Sequence, residues 1–236
     1  MSRVPAAAEP DVDADAPVGT AAQLLDTAER LFATRGIDSV SLREIVRESG
    51  QNNLSAAHYH FGSREQLIGE LLARRIRAIN VIRHRRLDAL EREGKGGEVH
   101  AVVSATVNAL GDAVRSQPWG PDYVRVAAQV TLSPQTAYPH RLDPDTMSGQ
   151  IRCREMLRRA LPHLPAQVFM DRARILNNET TFSIARWIQA HGRVTPATAR
   201  RFSALLRNLT DFLAAGISAP IGPAQAPHRN QTETSA

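Results

Sequence analysis

The chain is expected to fold as an all-α protein. A small N-terminal head of three helices, containing a helix-turn-helix, precedes a larger helical body. Three observations predict this. Apolar residues recur at spacings of three and four along nearly the whole chain between residues 20 and 217. Alternating apolar–polar runs bounded by turn pairs are absent, and no internal repeat is evident. Glycine, proline and hydroxyl residues interrupt the apolar stripes where helices start and stop.

The first helix carries Leu24, Leu25, Ala28, Leu31 and Phe32 on one face and ends at Gly36. The second begins at Ser41, which caps it, with Glu44 three residues on to complete a capping box. Leu42, Ile45 and Val46 line its inner face, while Arg43, Glu44, Arg47 and Glu48 face water. Gly50 stands where a left-handed residue closes a helix. The turn 50–53 is glycine and amides, which tolerate positive φ. A short third helix over about 54–60 follows, small and polar, and Phe61 plugs the core of the head. So small a unit must lean on the next helix.

That next helix, capped by Ser63, runs through Leu67, Ile68, Leu71, Leu72, Ile76, Ile79 and Ile82 to about residue 93 and stops at the Gly-rich loop 94–97. Further helices are expected at 99–116, 123–132, 147–161, 166–190 and 196–217, with Pro118 and Pro121 as breakers and a proline-bearing loop at 133–144. Thr195 before Pro196 makes a good start for the last one. The expected organisation is a disordered acidic and Pro/Ala tail at 1–18, a helix-turn-helix domain at 19–66, a ligand-binding and dimerisation domain at 67–218, and a disordered tail at 219–236.

The helix-turn-helix makes double-stranded DNA the leading partner. Small side chains let a helix backbone approach base edges in the major groove, and Asn, Ser and His hydrogen-bond to bases or phosphates. Asn52, Asn53, Ser55 and Ala56 occupy the N-terminal turn that reaches bases, although the two asparagines equally suit a role in shaping the turn. A formal charge of +5 permits a polyanionic partner, and residues 20–86 carry eleven Arg against seven acids. The sole cysteine, Cys153, excludes an intramolecular disulfide and fits a reducing cytoplasm. No signal-like segment and no apolar run of about eighteen residues is present, so no membrane role is expected.

Three stretches together resemble the DNA-binding domain of the TetR family of bacterial transcriptional regulators. They are Leu25-Asp26-Thr27-Ala28-Glu29-Arg30-Leu31-Phe32-Ala33-Thr34-Arg35-Gly36, then Ser41-Leu42-Arg43-Glu44-Ile45, then Tyr59-His60-Phe61-Gly62-Ser63-Arg64-Glu65-Gln66-Leu67. The resemblance implies that Ser41 contacts phosphate and that Arg64 takes the place of a phosphate-contacting Lys at the start of the long helix. That helix N-terminus is itself an anion site. His58 and Tyr59 stand within reach of the backbone. The expected DNA-contacting set is therefore Ser41, Arg43, Asn52, Asn53, Ser55, Ala56, His58, Tyr59 and Arg64.

The resemblance also implies a homodimer formed by the last two helices, with Phe182, Trp187, Phe202, Leu205, Leu209 and Phe212 at the interface. It implies a small hydrophobic or amphipathic effector held in the body, for which Leu72, Ile76, Trp119, Tyr123, Met147, Met156, Phe169, Met170 and Asn177 are candidate contacts. No other cofactor is expected. The implied function is a bacterial cytoplasmic repressor that binds a palindromic operator and is released by a small molecule; an activator of the same fold and a helical scaffold are the alternatives. A catalytic constellation is not found. His58 and His60, two residues apart, point to different sides of a helix, so no metal site is expected.

Overall fold

The computed structural model describes residues 20–50, 60–133 and 142–222. Among them are eight α-helices, one 3₁₀ turn and no β-strand. The expected acidic tail and the body of the third head helix fall on residues outside this set, as does most of the expected C-terminal tail.

Helix α1 spans Thr20–Arg35 and is followed by the 3₁₀ turn Ile37–Ser39. Helix α2 spans Leu42–Glu48. Its start is the expected capping box: Ser41 Oγ accepts from the Glu44 amide at 3.3 Å, and the Glu44 carboxylate accepts the Ser41 amide at 2.9 Å. Gly50, at φ 72°, leaves α2 through the left-handed region that glycine enters without strain. Leu24, Leu31, Phe32 and Ile45 are fully buried in the head, and Phe61 joins them.

Helix α3, Arg64–Arg92, belongs to head and body alike. Helices α4 (Val99–Ser116), α5 (Gly120–Leu132), α6 (Ser148–Ala160), α7 (Ala166–His191) and α8 (Pro196–Ser218) complete the body. Helix α5 begins three residues before the expected 123. Pro121 lies in its first turn, where a missing N–H costs nothing, and so starts the helix that it was expected to delay. Helix α4 is central and packs on α3, α5, α6, α7 and α8. Its Gly111 lets α8 approach so closely that a Cβ there would stand 2.5 Å from Leu206 Cδ1.

The head is fastened to the body at two places. Arg75 of α3, 3% exposed, donates to Glu29 of α1 at 2.7 Å and to Asp26 at 2.9 Å, and its guanidinium lies 4.7 Å over the Trp119 ring. Arg74 binds Asp26 at 2.8 Å. The second fastening is Gln129 of α5. Its Oε1 accepts the Ile37 amide at 2.7 Å and its Nε2 donates to the Phe32 carbonyl at 3.1 Å, closing the end of α1 with a side chain from the body.

Burial pushes the Glu29 carboxyl up to about 7, against the hydrogen bond and charge of Arg75. Because this folded value lies above the ordinary 4.5, the fold binds the proton more tightly than the unfolded chain does. The contribution of Glu29 to stability is therefore largest at low pH and is lost as pH rises through about 7. Arg75→Met strands that carboxylate in the interior. Urea unfolding near pH ~8 is expected to show a loss of about 3–5 kcal/mol. The deficit shrinks toward pH ~5, where Glu29 takes up its proton.

Candidate functional site

Among the described residues, the surface expected to face DNA comprises the first turns of α2 and α3. Ser41 and Arg43 are exposed at the start of α2. The Ser41 hydroxyl accepts from the Glu44 amide and donates to the Glu44 carboxylate at 3.0 Å. The Ser41 backbone N–H, and after it the Ser41 hydroxyl, donate to the Glu44 carboxylate and hold it below its usual range. At the start of α3, Ser63 Oγ accepts the Gln66 amide at 3.1 Å, leaving the other free N–H groups of the turn as an anion-attracting end. His60 is exposed. Asn52, Asn53, Ser55, Ala56, His58 and Tyr59 lie outside the described residues.

Arg64 corrects an expectation. Its guanidinium turns back into the head: Nε donates to the Val40 carbonyl at 2.9 Å, Nη2 donates to the Ile37 carbonyl, and the group stacks 5.4 Å over Phe32. The reason is the 3₁₀ turn before α2, which leaves those two carbonyls in need of donors. Arg64 thus ties the α1–α2 connection to α3.

The expected effector residues divide into groups. Leu72, Ile76, Trp119, Tyr123, Met156 and Phe169 are buried in the continuous core, and Met147 is half-buried against it. Trp119 and Tyr123 meet edge to face at 5.9 Å. Met170 and Asn177 are placed otherwise than expected: both are exposed on the outer face of α7, and Asn177 Nδ2 is spent on the Ala173 carbonyl at 3.2 Å. Phe169 and Met170 border a surface groove of about 400 Å³ with Arg154 and Arg158 at its rim. A second groove of about 730 Å³ runs along Thr34, Gln129, Leu132, Phe182 and Arg186, beside the Gln129 fastening.

Sequence reasoning missed a polar group inside the body. Arg83 and Asn80 of α3 are buried with Thr106 of α4 and Thr146. Arg83 Nη1 donates to Asn80 Oδ1, Asn80 Nδ2 donates to the Thr146 carbonyl at 2.8 Å, and Thr106 Oγ1 donates to Cys153 Sγ at 3.2 Å. A signal was present. Ile76, Asn80, Arg83 and Leu87 share one helical stripe, so the stripe that is apolar elsewhere passes through Arg83. Among the described residues no group of three His, Cys, Asp or Glu is arranged to hold a metal ion.

Three expected interface residues are also corrected. Trp187, Phe202 and Leu209 are buried within the protomer, with the Trp187 and Phe202 rings 4.8 Å apart. The close approach of α8 to α4 at Gly111 consumes that side of α8. Outward on α7 and α8, besides Met170, are Ile175, 52% exposed, and Phe212, 70% exposed, with Phe182 and Leu205 half-buried.

An exposed helix-turn-helix start joined through one long helix to a helical body defines a DNA-binding transcriptional regulator. The comparisons name the kind. The model described as "Bacterial regulatory proteins, tetR family" matches residues 24–71, and "Tetracyclin repressor-like, C-terminal domain" matches residues 98–216. The chain belongs to the TetR family of bacterial regulators, as its head motifs led one to expect. Solved structures share the fold. A tetR-family transcription regulator from Shewanella sp. PV-4 is 17% identical over 82% of this chain and 95% of that one, with a TM-score of 0.60. The regulator FadR from Bacillus subtilis, in complex with stearoyl-CoA, is 12% identical over 82% and 97%, with a TM-score of 0.56. FadR from Bacillus halodurans is 13% identical over 82% and 97%, with a TM-score of 0.54. No curated protein matches the chain. Among the described residues no helix is long and apolar enough to cross a membrane.

Arg64→Ala is expected to destabilise the head by about 1–2 kcal/mol through the two lost carbonyl contacts. It weakens duplex binding without changing the slope of log affinity against log salt. A slope reduced by about one unit would return Arg64 to the phosphate-contacting set.

Proposed function

We propose that the protein is a homodimeric repressor that grips an inverted repeat and lets go when a small amphipathic molecule enters its body. The observation that carries this reading is the continuity of α3. Its first turn lies at the expected DNA surface, about three turns on it holds α1 through Arg74 and Arg75, and its later turns run through the interior of the body. A shift of α3 inside the body therefore moves the head. Effector binding needs to favour the shifted state by only ~1–3 kcal/mol to change operator occupancy.

Dimerisation supplies the second head. One short recognition helix spans few base pairs, whereas two heads about 34–36 Å apart read successive major grooves. The face left outward on α7 and α8 supports pairing there. Ile175 and Phe212 are large, apolar and exposed on adjacent, mutually packed helices, with Phe182 and Leu205 on the same two elements. FadR from Bacillus subtilis, which shares the fold, was solved in complex with stearoyl-CoA, which supports a ligand-responsive reading.

Selection of bound sites from random duplexes tests the reading, with recovery of an inverted repeat as the expected result and a non-palindromic or empty selection as the refuting one. Phe212→Glu is expected to shift sedimentation from dimer to monomer and to lower affinity for the selected duplex by at least about tenfold, since a buried unpaired charge at an interface costs several kcal/mol.

A further inference from the structure

Helix α3 carries two buried arginines two turns apart, and they are treated differently. Arg75, 3% exposed, is neutralised by Glu29 and Asp26. Arg83, 6% exposed, forms no ion pair with a carboxylate among the described residues, and the acidic groups acting on it include none. Its one hydrogen bond goes from Nη1 to the neutral Asn80 Oδ1; Nε is buried without a partner, and Nη2, beside it on the guanidinium, donates to no described residue. The acidic groups that act on it are the Tyr123 phenol and the Cys153 thiol. Burial raises both, the phenol to about 12, so both are neutral at physiological pH.

The guanidinium is held in place from one side. Asn80 is anchored to the Thr146 carbonyl, and α6 presses Gly149 against the pair so closely that a Cβ there would lie 2.4 Å from Asn80 Oδ1 and 3.1 Å from Arg83 Cδ. What remains is the Nε–Nη2 edge, the edge that takes a planar carboxylate with two parallel hydrogen bonds. An uncompensated cation in the interior is costly unless a counter-charge arrives.

We propose that Arg83 is the anchor for the anionic head of the effector, and that the effector is an amphipathic monocarboxylate. This rests on the ligand-released reading given above and narrows it to a chemical class. A single negative charge is indicated because one cation stands unpaired. The neighbouring Arg152 is already held by Asp88 at 2.7 Å and Glu91 at 2.8 Å. His84, 3.3 Å from Arg152, has its pKa pushed down by burial and by Arg152. The apolar groups on the elements around Arg83 are the Tyr123 ring and the α6 stripe of Cys153 and Met156, all buried, among which the ligand's apolar part would have to insert. A carboxylate drawn to Arg83 acts on the same helix that clamps the head at Arg75, which places the signal on the regulatory element itself.

The test uses the full chain with straight-chain monocarboxylates of about six to twelve carbons, the matching primary alcohols and the matching alkyl phosphates. Binding is followed by calorimetry and by melting temperature. The acids are expected to bind roughly ten- to hundredfold more tightly than the alcohols, the margin of one charge-assisted pair. Arg83→Met and Arg83→Gln are expected to abolish that margin, and Arg83→Met to melt at or above the wild-type temperature without ligand, since it removes an unpaired buried charge. Equal affinity for acid and alcohol, tighter binding of the phosphates, or a lower ligand-free melting temperature in Arg83→Met would overturn the assignment. Duplex binding in the same samples separates the two readings. Intact duplex binding with no acid bound defeats the effector assignment alone; acid bound through Arg83 with duplex affinity unmoved defeats the release mechanism and leaves the site standing.

Discussion

The buried Arg75 guanidinium, shared between Glu29 and Asp26, is the interaction on which the remaining architecture depends. The three-helix head is too small to bury enough apolar surface by itself. It gains its missing wall from α3, and Arg75 fixes how α1 sits against that wall. Gln129 adds a second point of attachment from a different body helix. Two attachments on separate body helices mean that the head reports the relative positions of α3 and α5, not of either alone. A rigid head on a single tether would swing without transmitting anything; a head pinned at two points turns when the pins move apart.

The arrangement of polar groups along α3 follows from this. At its first turn the helix offers N–H groups outward and uses Arg64 inward. At Arg75 it is closed by carboxylates from the head. At Arg83 it is buried in the body and carries a cation that no described carboxylate neutralises. Burying a charge with no partner lowers stability, and a hydrophobic residue on that stripe would have packed better. Retention of arginine there is understandable if the missing stabilisation is returned by a ligand, because the free energy withheld from folding then becomes free energy of binding.

Local features of the chain were legible from its residues. The Ser41–Glu44 capping box, the left-handed Gly50, the core stripe of α1 and the extent of α3, α7 and α8 depend on neighbours within one or two turns. Features decided by distant partners were not. Arg64 follows a cap at a helix start, where a phosphate contact is reasonable; only the unsatisfied carbonyls of Val40 and Ile37, brought together by the fold, turn it inward. Trp187 and Phe202 look like interface residues because α7 and α8 are apolar on more than one side. The closeness of α4 at Gly111 decides that this second side faces the protomer interior. Gln129 reads as solvated surface in the linear chain until the packing is known, and Arg83 is marked there only by its place on the otherwise apolar stripe of α3.

The burial of Trp187, Phe202 and Leu209 also changes how subunit pairing would be balanced. With those side chains withdrawn into the core, the outward face of α7 and α8 offers a few large apolar groups, Phe212 and Ile175 foremost, among polar neighbours such as Arg201 and Asn208. A patch of that composition favours association without requiring it for folding, since the protomer core is complete without a partner. In the proposed dimer each protomer would then be stable enough for the two heads to be repositioned relative to each other while each remains folded. In the switch proposed above, movement of α3 within an intact core, instead of partial unfolding of the head, would convert occupancy of the body into altered spacing of the heads.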